Sequence, residues 1–135
     1  MQIKLTGTQR EIAEFVVAIV VAFLFYQGLA LALGTSMPMV SVVSGSMEPN
    51  LHVGDLMIVH RPAQYEVGDI AIYNQGKITI IHRIIEITPS GYRFKGDNNA
   101  GPDPQLVPES RVLGKGVFAI PLLGYPRLAL FALGI

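Results

Sequence analysis

Ser44-Gly45-Ser46 lies between an apolar approach, Val40 to Val43, and the stiff exit Met47-Glu48-Pro49. Gly45 allows close backbone approach and Pro49 restricts the chain after it, which suits a hydroxyl that must be presented at a fixed angle. A serine hydroxyl is a poor nucleophile until a neighbouring base takes its proton. His82, within Ile80-Ile81-His82-Arg83-Ile84-Ile85, is the best base: its ordinary pKa lies near neutrality. Strand alternation puts it on the face of Ile78, Ile80 and Ile84, with Arg83 on the other. A carboxylate would complete the set by holding the imidazole in one tautomer. The loop Gly96-Asp97-Asn98-Asn99-Ala100-Gly101-Pro102-Asp103 offers two, Asp97 and Asp103, either of which could instead be a turn-forming side chain. Such a set would carry out acyl transfer through a serine.

Competing chemistries fit less well. Lys77 and Lys95 flank the same strands and could serve a serine–lysine dyad, but read as ordinary turn and edge lysines. His52 and His60 read as surface residues, and Asp55 and Asp69, each after a glycine and before a strand, as structural ones. The three histidines show no close ligand pair and the 135-residue chain has no cysteine, so neither a metal nor another cofactor is expected. With 10 basic and 10 acidic side chains, nothing favours a nucleic-acid partner.

These groups must be held by elements of two kinds. Residues 15–33, FVVAIVVAFLFYQGLALAL, carry no ionised side chain. As a helix they would reach about 28 Å, close to the thickness of a hydrocarbon core, and they read as a transmembrane anchor. A cleavable leader ending at Ala30-Leu31-Ala32 is a rival, but the apolar run is too long and the preceding segment not strongly basic. A buried core helix is another, for which the rest of the chain is too small. Residues 1–14 are expected as a cytoplasmic tail and 34–41 as a flexible exit capped by Gly34. Residues 34–120 then form an extracytoplasmic domain of short strands: 56–59, 70–73, 78–87 and 92–94, the last two turning near Pro89-Ser90-Gly91. The fold class is mostly β, a small, partly closed antiparallel sheet behind an N-terminal transmembrane helix. Residues 96–110 form a long polar loop of the length that is usually functional or disordered. The apolar segment 121–135 either lies on the membrane or begins a second span.

The ordered set Ser44-Gly45-Ser46-Met47-Glu48-Pro49, Gly68-Asp69-Ile70, Ile81-His82-Arg83-Ile84 and Gly96-Asp97-Asn98-Asn99 with Asp103, behind an N-terminal anchor, resembles the type I signal peptidases of the archaeal and endoplasmic-reticulum branch. The resemblance covers residues 12 to about 120. It implies a mostly β serine endopeptidase in the cell membrane that removes N-terminal signal peptides from preproteins after small residues at −1 and −3. It implies Ser46 as nucleophile, with its own N–H and the Ser44 hydroxyl in the oxyanion hole, and His82 as base where the bacterial branch has a lysine. Asp103 is implied as the residue that orients His82, with Asp97 supporting. The implied partners are preprotein signal peptides and the lipid bilayer, with accessory membrane subunits as further candidates. The main alternative is a non-catalytic anchored β-domain, a scaffold or substrate-binding subunit, in which Ser46, His82 and a carboxylate would not meet.

Overall fold

The fold comes from a computed structural model that describes residues 4–134, so residues 1–3 of the expected N-terminal tail and the final Ile135 lie outside it. Thr6 starts the first helix, α1 (Gly7–Leu33), with a capping box: its side chain accepts the Gln9 N–H while the Gln9 side chain accepts the Thr6 N–H. The helix stops at Gly34, whose φ of 66° is the left-handed conformation that suits glycine, and whose N–H reaches back to the Ala30 and Leu31 carbonyls. At about 1.5 Å per residue α1 is about 40 Å long. None of its side chains is buried, and it is long and apolar enough to cross a membrane.

The chain after α1 is tied down rather than flexible. Thr35 Oγ1 donates to the Leu113 carbonyl, Arg61 N–H to the Leu33 carbonyl and Val59 N–H to the Pro38 carbonyl. Residues expected to be irregular already form a strand, β1 (Met39–Ser41), paired with β2 (Leu56–His60). β3 (Ile70–Gln75), the long β4 (Ile78–Thr88) and β5 (Gly91–Lys95) follow as antiparallel neighbours. β6 (Val112–Ile120) can be read from sequence only at its apolar end, where the run from Val117 could finish the sheet, yet it lies between β2 and β3 at the centre of the sheet. Its glycines explain the partial reading and the position together. A Cβ on Gly114 would stand 2.5 Å from the Val59 side chain, and one on Gly116 2.5 Å from the Met57 sulfur, so the same residues that weaken the strand signal let neighbouring strands pack closely.

The six strands form one antiparallel sheet in the order β1-β2-β6-β3-β4-β5. The sheet is open, where partial closure was expected. The outer edge of β5 is taken by the 96–110 loop instead of by β1: Tyr92 and Val107 exchange two backbone hydrogen bonds of 2.8 Å. Two apolar clusters hold the domain, one around Tyr73, Ile84, Phe94 and Val112, the other around Val42, Met47, Met57 and Ile72. The chain ends in a short helix, α2 (Tyr125–Ala132), docked where Gly124 N–H donates to the Gly54 carbonyl. Most of the tail faces outward, with Leu122, Phe131 and Leu133 exposed.

Candidate functional site: a serine, a histidine and a shared carboxylate

Ser46 sits in a single 3-10 turn, Gly45–Met47, entered from extended backbone at Ser44. Met47 anchors the turn from below, only 1% exposed within the second cluster. The loop after β5 anchors it from the side. Asn98 N–H donates to the Ser46 carbonyl at 2.8 Å, and the Asn98 side-chain amide donates to the Gly45 carbonyl at 3.1 Å. Gly96 makes this approach feasible, since a Cβ there would stand 2.7 Å from the Ser46 carbonyl oxygen and 2.6 Å from the Asn99 side-chain nitrogen. The Gly96-Asp97-Asn98-Asn99 run is thus a clamp on the backbone that carries the hydroxyl. Asn98 had no role assigned from sequence; its place in the quoted motif was the available signal.

β4 delivers His82 with its side chain buried on the Ile80 and Ile84 face, opposite Ala71 of β3. His82 Nε2 is 3.2 Å from Ser46 Oγ, and His82 Nδ1 is 2.6 Å from Asp103 Oδ2. The Ser44 and Ser46 hydroxyls are 3.2 Å apart. Asp103 is held by its own backbone, where its N–H donates to the Phe94 carbonyl at 2.7 Å, and by Tyr73, whose hydroxyl donates to Oδ2 at 2.6 Å. Tyr73 was missed from sequence; its only sign is a place on β3 two residues along from Ala71, on the same face as His82. Burial first, and then the bond to Asp103, push the Tyr73 phenol well above its usual range. It therefore stays a hydrogen-bond donor throughout the working range of an imidazole.

Asp97 does not join this group. Its two oxygens accept from Arg83 Nε at 2.8 Å and Arg83 NH2 at 2.7 Å, and Asn50 adds a 2.7 Å bond. The Arg83 guanidinium, ahead of the Asn50 amide, holds the Asp97 carboxyl below the usual carboxylate range, and the same fork-to-fork pairing raises Arg83 further. Arg83 also donates to the Gly68 carbonyl at 2.7 Å, so the pair ties the clamp to the turn ahead of β3. Asp55 accepts the His52 N–H and Asp69 the Glu66 N–H, each closing its own turn, and Asp69 also pairs with Lys115 at 2.9 Å. His52 is exposed and His60 closes β2. Lys95 is turned to the Gly96 carbonyl and Lys77 stands exposed at the β3–β4 turn. Among the described residues, no three His, Asp or Glu side chains gather in a way that could hold a metal ion.

The hydroxyl opens onto a cleft of about 340 Å³ lined by Ser41–Ser44, Met47 and Ile78–His82. Among the described residues its walls are two strand edges without partners in the sheet: β1 pairs with β2 alone, and β5 joins β4 from Arg83 onward, which leaves Ile78–His82 free on that side. Four antiparallel steps separate β1 from β4 in the sheet order, so both run in the same direction, toward Ser46 and His82.

The chain matches the model of the S24-like peptidase family over residues 21–117. It is also similar to curated fungal proteins. A signal peptidase complex catalytic subunit SEC11 of Leptosphaeria maculans is 36% identical over 136 residues, covering 89% of this chain and 79% of the relative. A sec11 of Pyrenophora teres f. teres is 35% identical with the same coverage. One of Penicillium rubens is 32% identical across 93% of this chain and 82% of the relative. The family match over residues 21–117 spans Ser46, His82 and Asp103. This chain belongs to the S24-like peptidase family and is a homologue of the fungal Sec11 proteins.

Proposed function

We propose that the chain is a membrane-bound serine endopeptidase that removes N-terminal signal peptides from preproteins, cutting after small residues at −1 and −3. The observation that carries this reading is the continuous chain of hydrogen bonds from Ser46 Oγ through His82 to Asp103 Oδ2. His82 Nε2 takes the hydroxyl proton as Ser46 attacks the scissile carbonyl, while Asp103 holds the Nδ1–H tautomer and stabilises the imidazolium that forms. The Ser46 N–H and the Ser44 hydroxyl stabilise the oxyanion, a contribution on the order of 3 kcal/mol for each such donor. His82 then protonates the leaving amine, and water releases the acyl-enzyme by the reverse sequence.

The substrate lies extended between the free edges of β1 and β4, hydrogen-bonding to both, with alternate side chains turned into the cleft. On this reading the valine and isoleucine walls select small ones by excluding bulky side chains. α1 is read as the anchor, with 15–33 in the bilayer, the tail 1–14 cytoplasmic and the domain 34–120 extracytoplasmic. The apolar segment 121–135, exposed at Leu122, Phe131 and Leu133, rests on the same membrane surface. Holding enzyme and preprotein in one bilayer raises their effective concentration, and the tied-down segment after Gly34 sets the height of Ser46. The names of the Sec11 relatives mention a complex, which supports accessory membrane subunits as partners. Those relatives are fungal and lend no support to an archaeal assignment.

The test is cleavage of a preprotein with an Ala-x-Ala site by the full chain in detergent or liposomes. Wild type should cut it at that site. Ser46→Ala and His82→Ala should each abolish turnover with unchanged thermal unfolding. A fully active Ser46→Ala protein would refute the nucleophile, and an inactive wild type would favour the anchored scaffold.

A further inference from the structure

We infer that Tyr73 is a positioning residue of the site, acting through Asp103 to set how strongly the carboxylate pulls on the His82 Nδ1–H. The inference rests on the functional reading above for its kinetic consequence, but the geometry stands apart from it. One oxygen, Asp103 Oδ2, accepts two bonds of 2.6 Å, one from the Tyr73 hydroxyl and one from His82 Nδ1. Two donors on one oxygen share its negative charge, so the phenol weakens the attraction that the imidazole feels. It also removes a rotational freedom: with Oδ2 fixed from two strands, the carboxylate cannot swing away from the ring.

Tyr73 is itself held without slack. It is 4% exposed, and its ring packs at 4.6 Å between centroids against Phe94. Phe94 is fully buried, and its backbone carbonyl is the acceptor for the Asp103 N–H. One β5 residue thus fixes the phenol through its ring and the aspartate through its backbone. A phenylalanine at position 73 would satisfy the packing equally well. The hydroxyl adds nothing to the core that a methine hydrogen would not, and its one hydrogen-bond partner is the carboxylate that faces His82.

The charged and titratable groups around Asp103 are few. Tyr73 comes from β3, His82 from β4 and Arg111 from the turn ahead of β6, which lines a narrow crevice with Tyr73 and Asp103. Lys95 of β5 is turned to the Gly96 carbonyl. Only the phenol changes in Tyr73→Phe. Without it Oδ2 serves His82 alone, becomes a stronger acceptor and favours the protonated ring.

The experiment compares wild type, Tyr73→Phe and Phe94→Leu as full chains in detergent. In Tyr73→Phe the acid limb of the kcat profile for an Ala-x-Ala preprotein should move to higher pH with KM unchanged, so that kcat falls severalfold on that limb, where more of the ring is held protonated. The downfield proton signal of the His82 Nδ1–H should move further downfield, a readout that needs no substrate. Phe94→Leu, which loosens the packing but keeps the hydroxyl, should lower the unfolding temperature and move the acid limb less than Tyr73→Phe does. An unmoved proton signal in folded Tyr73→Phe overturns the inference whether or not the preprotein is cut. An unmoved acid limb with full kcat also overturns it while leaving the peptidase reading intact.

Discussion

The loop after β5 carries two aspartates six positions apart, and they serve opposite faces of one strand. Asp103 meets His82 on the inner face of β4, while Asp97 meets Arg83, the next residue, on the outer face. The inner carboxylate contacts a ring that, in the proposed reaction, must change protonation state. The outer one contacts a guanidinium that never does. Identical side chains therefore take different roles because the pleat of β4 presents different partners to each. Asp103 is bonded to the imidazole that reaches Ser46, and Asp97 is bonded to the arginine beside the clamp that Gly96 and Asn98 place on the serine turn.

Replacing each aspartate by asparagine is the most direct way to break this contrast. Asp103→Asn keeps the shape but supplies an amide that can favour the wrong histidine tautomer. Turnover should fall by roughly 10³–10⁴-fold, as expected when the orienting carboxylate of such a set is neutralised. Thermal unfolding should hardly move, since the side chain's role is directed at the ring. A comparable fall in Asp97→Asn with an active Asp103→Asn would reverse the assignment.

The clamp can be tested without touching any charge. Gly96→Ala pushes a methyl group toward the Ser46 carbonyl oxygen, with 2.7 Å available, so loop and nucleophile turn must separate. A misplacement near 1 Å at the reacting group costs about 10²-fold in rate. The expected signature is a drop in kcat of that order together with a lower unfolding temperature. Gly101→Ala, a few residues along in open space, is the matched control and should leave both unchanged.

What the sequence made legible divides along the same line. The reactive groups could be read because few residue types carry that chemistry, and because the alternation of β4 separates His82 from Arg83 without knowledge of the fold. The strands rich in isoleucine and valine could be read for the same periodic reason. β1 and the first half of β6 could not. β1 has three residues and follows Pro38, and β6 has glycines where neighbouring strands crowd it, so both lack a local signature and exist because partners pair with them. The open sheet also escaped, since the Tyr92–Val107 pairing joins residues that nothing in a local pattern connects. Choosing between Asp97 and Asp103 depended on a resemblance, because loop aspartates show no periodicity. Tyr73 was hidden because a tyrosine in a strand is usually core.

The outer aspartate should reveal itself in stability and in its pH dependence. Arg83 holds the Asp97 carboxyl below its usual range, so the folded pKa lies below the unfolded value, which is near 4. The unfolded chain then binds the proton more tightly than the folded one. The stabilisation is complete above the unfolded pKa and disappears as pH falls through the folded pKa. At pH 7, Asp97→Asn should lose about 2 kcal/mol, the usual worth of charge-assisted hydrogen bonds, with a fall in kcat smaller than that of Gly96→Ala. Denaturant unfolding of both proteins from pH 7 down to pH 3 should show the gap holding until about pH 4 and narrowing below it. A gap of constant size across that range would mean that the carboxylate's charge is not what fastens the loop, and that Asn50 and the backbone bonds of Asn98 hold the serine turn by themselves.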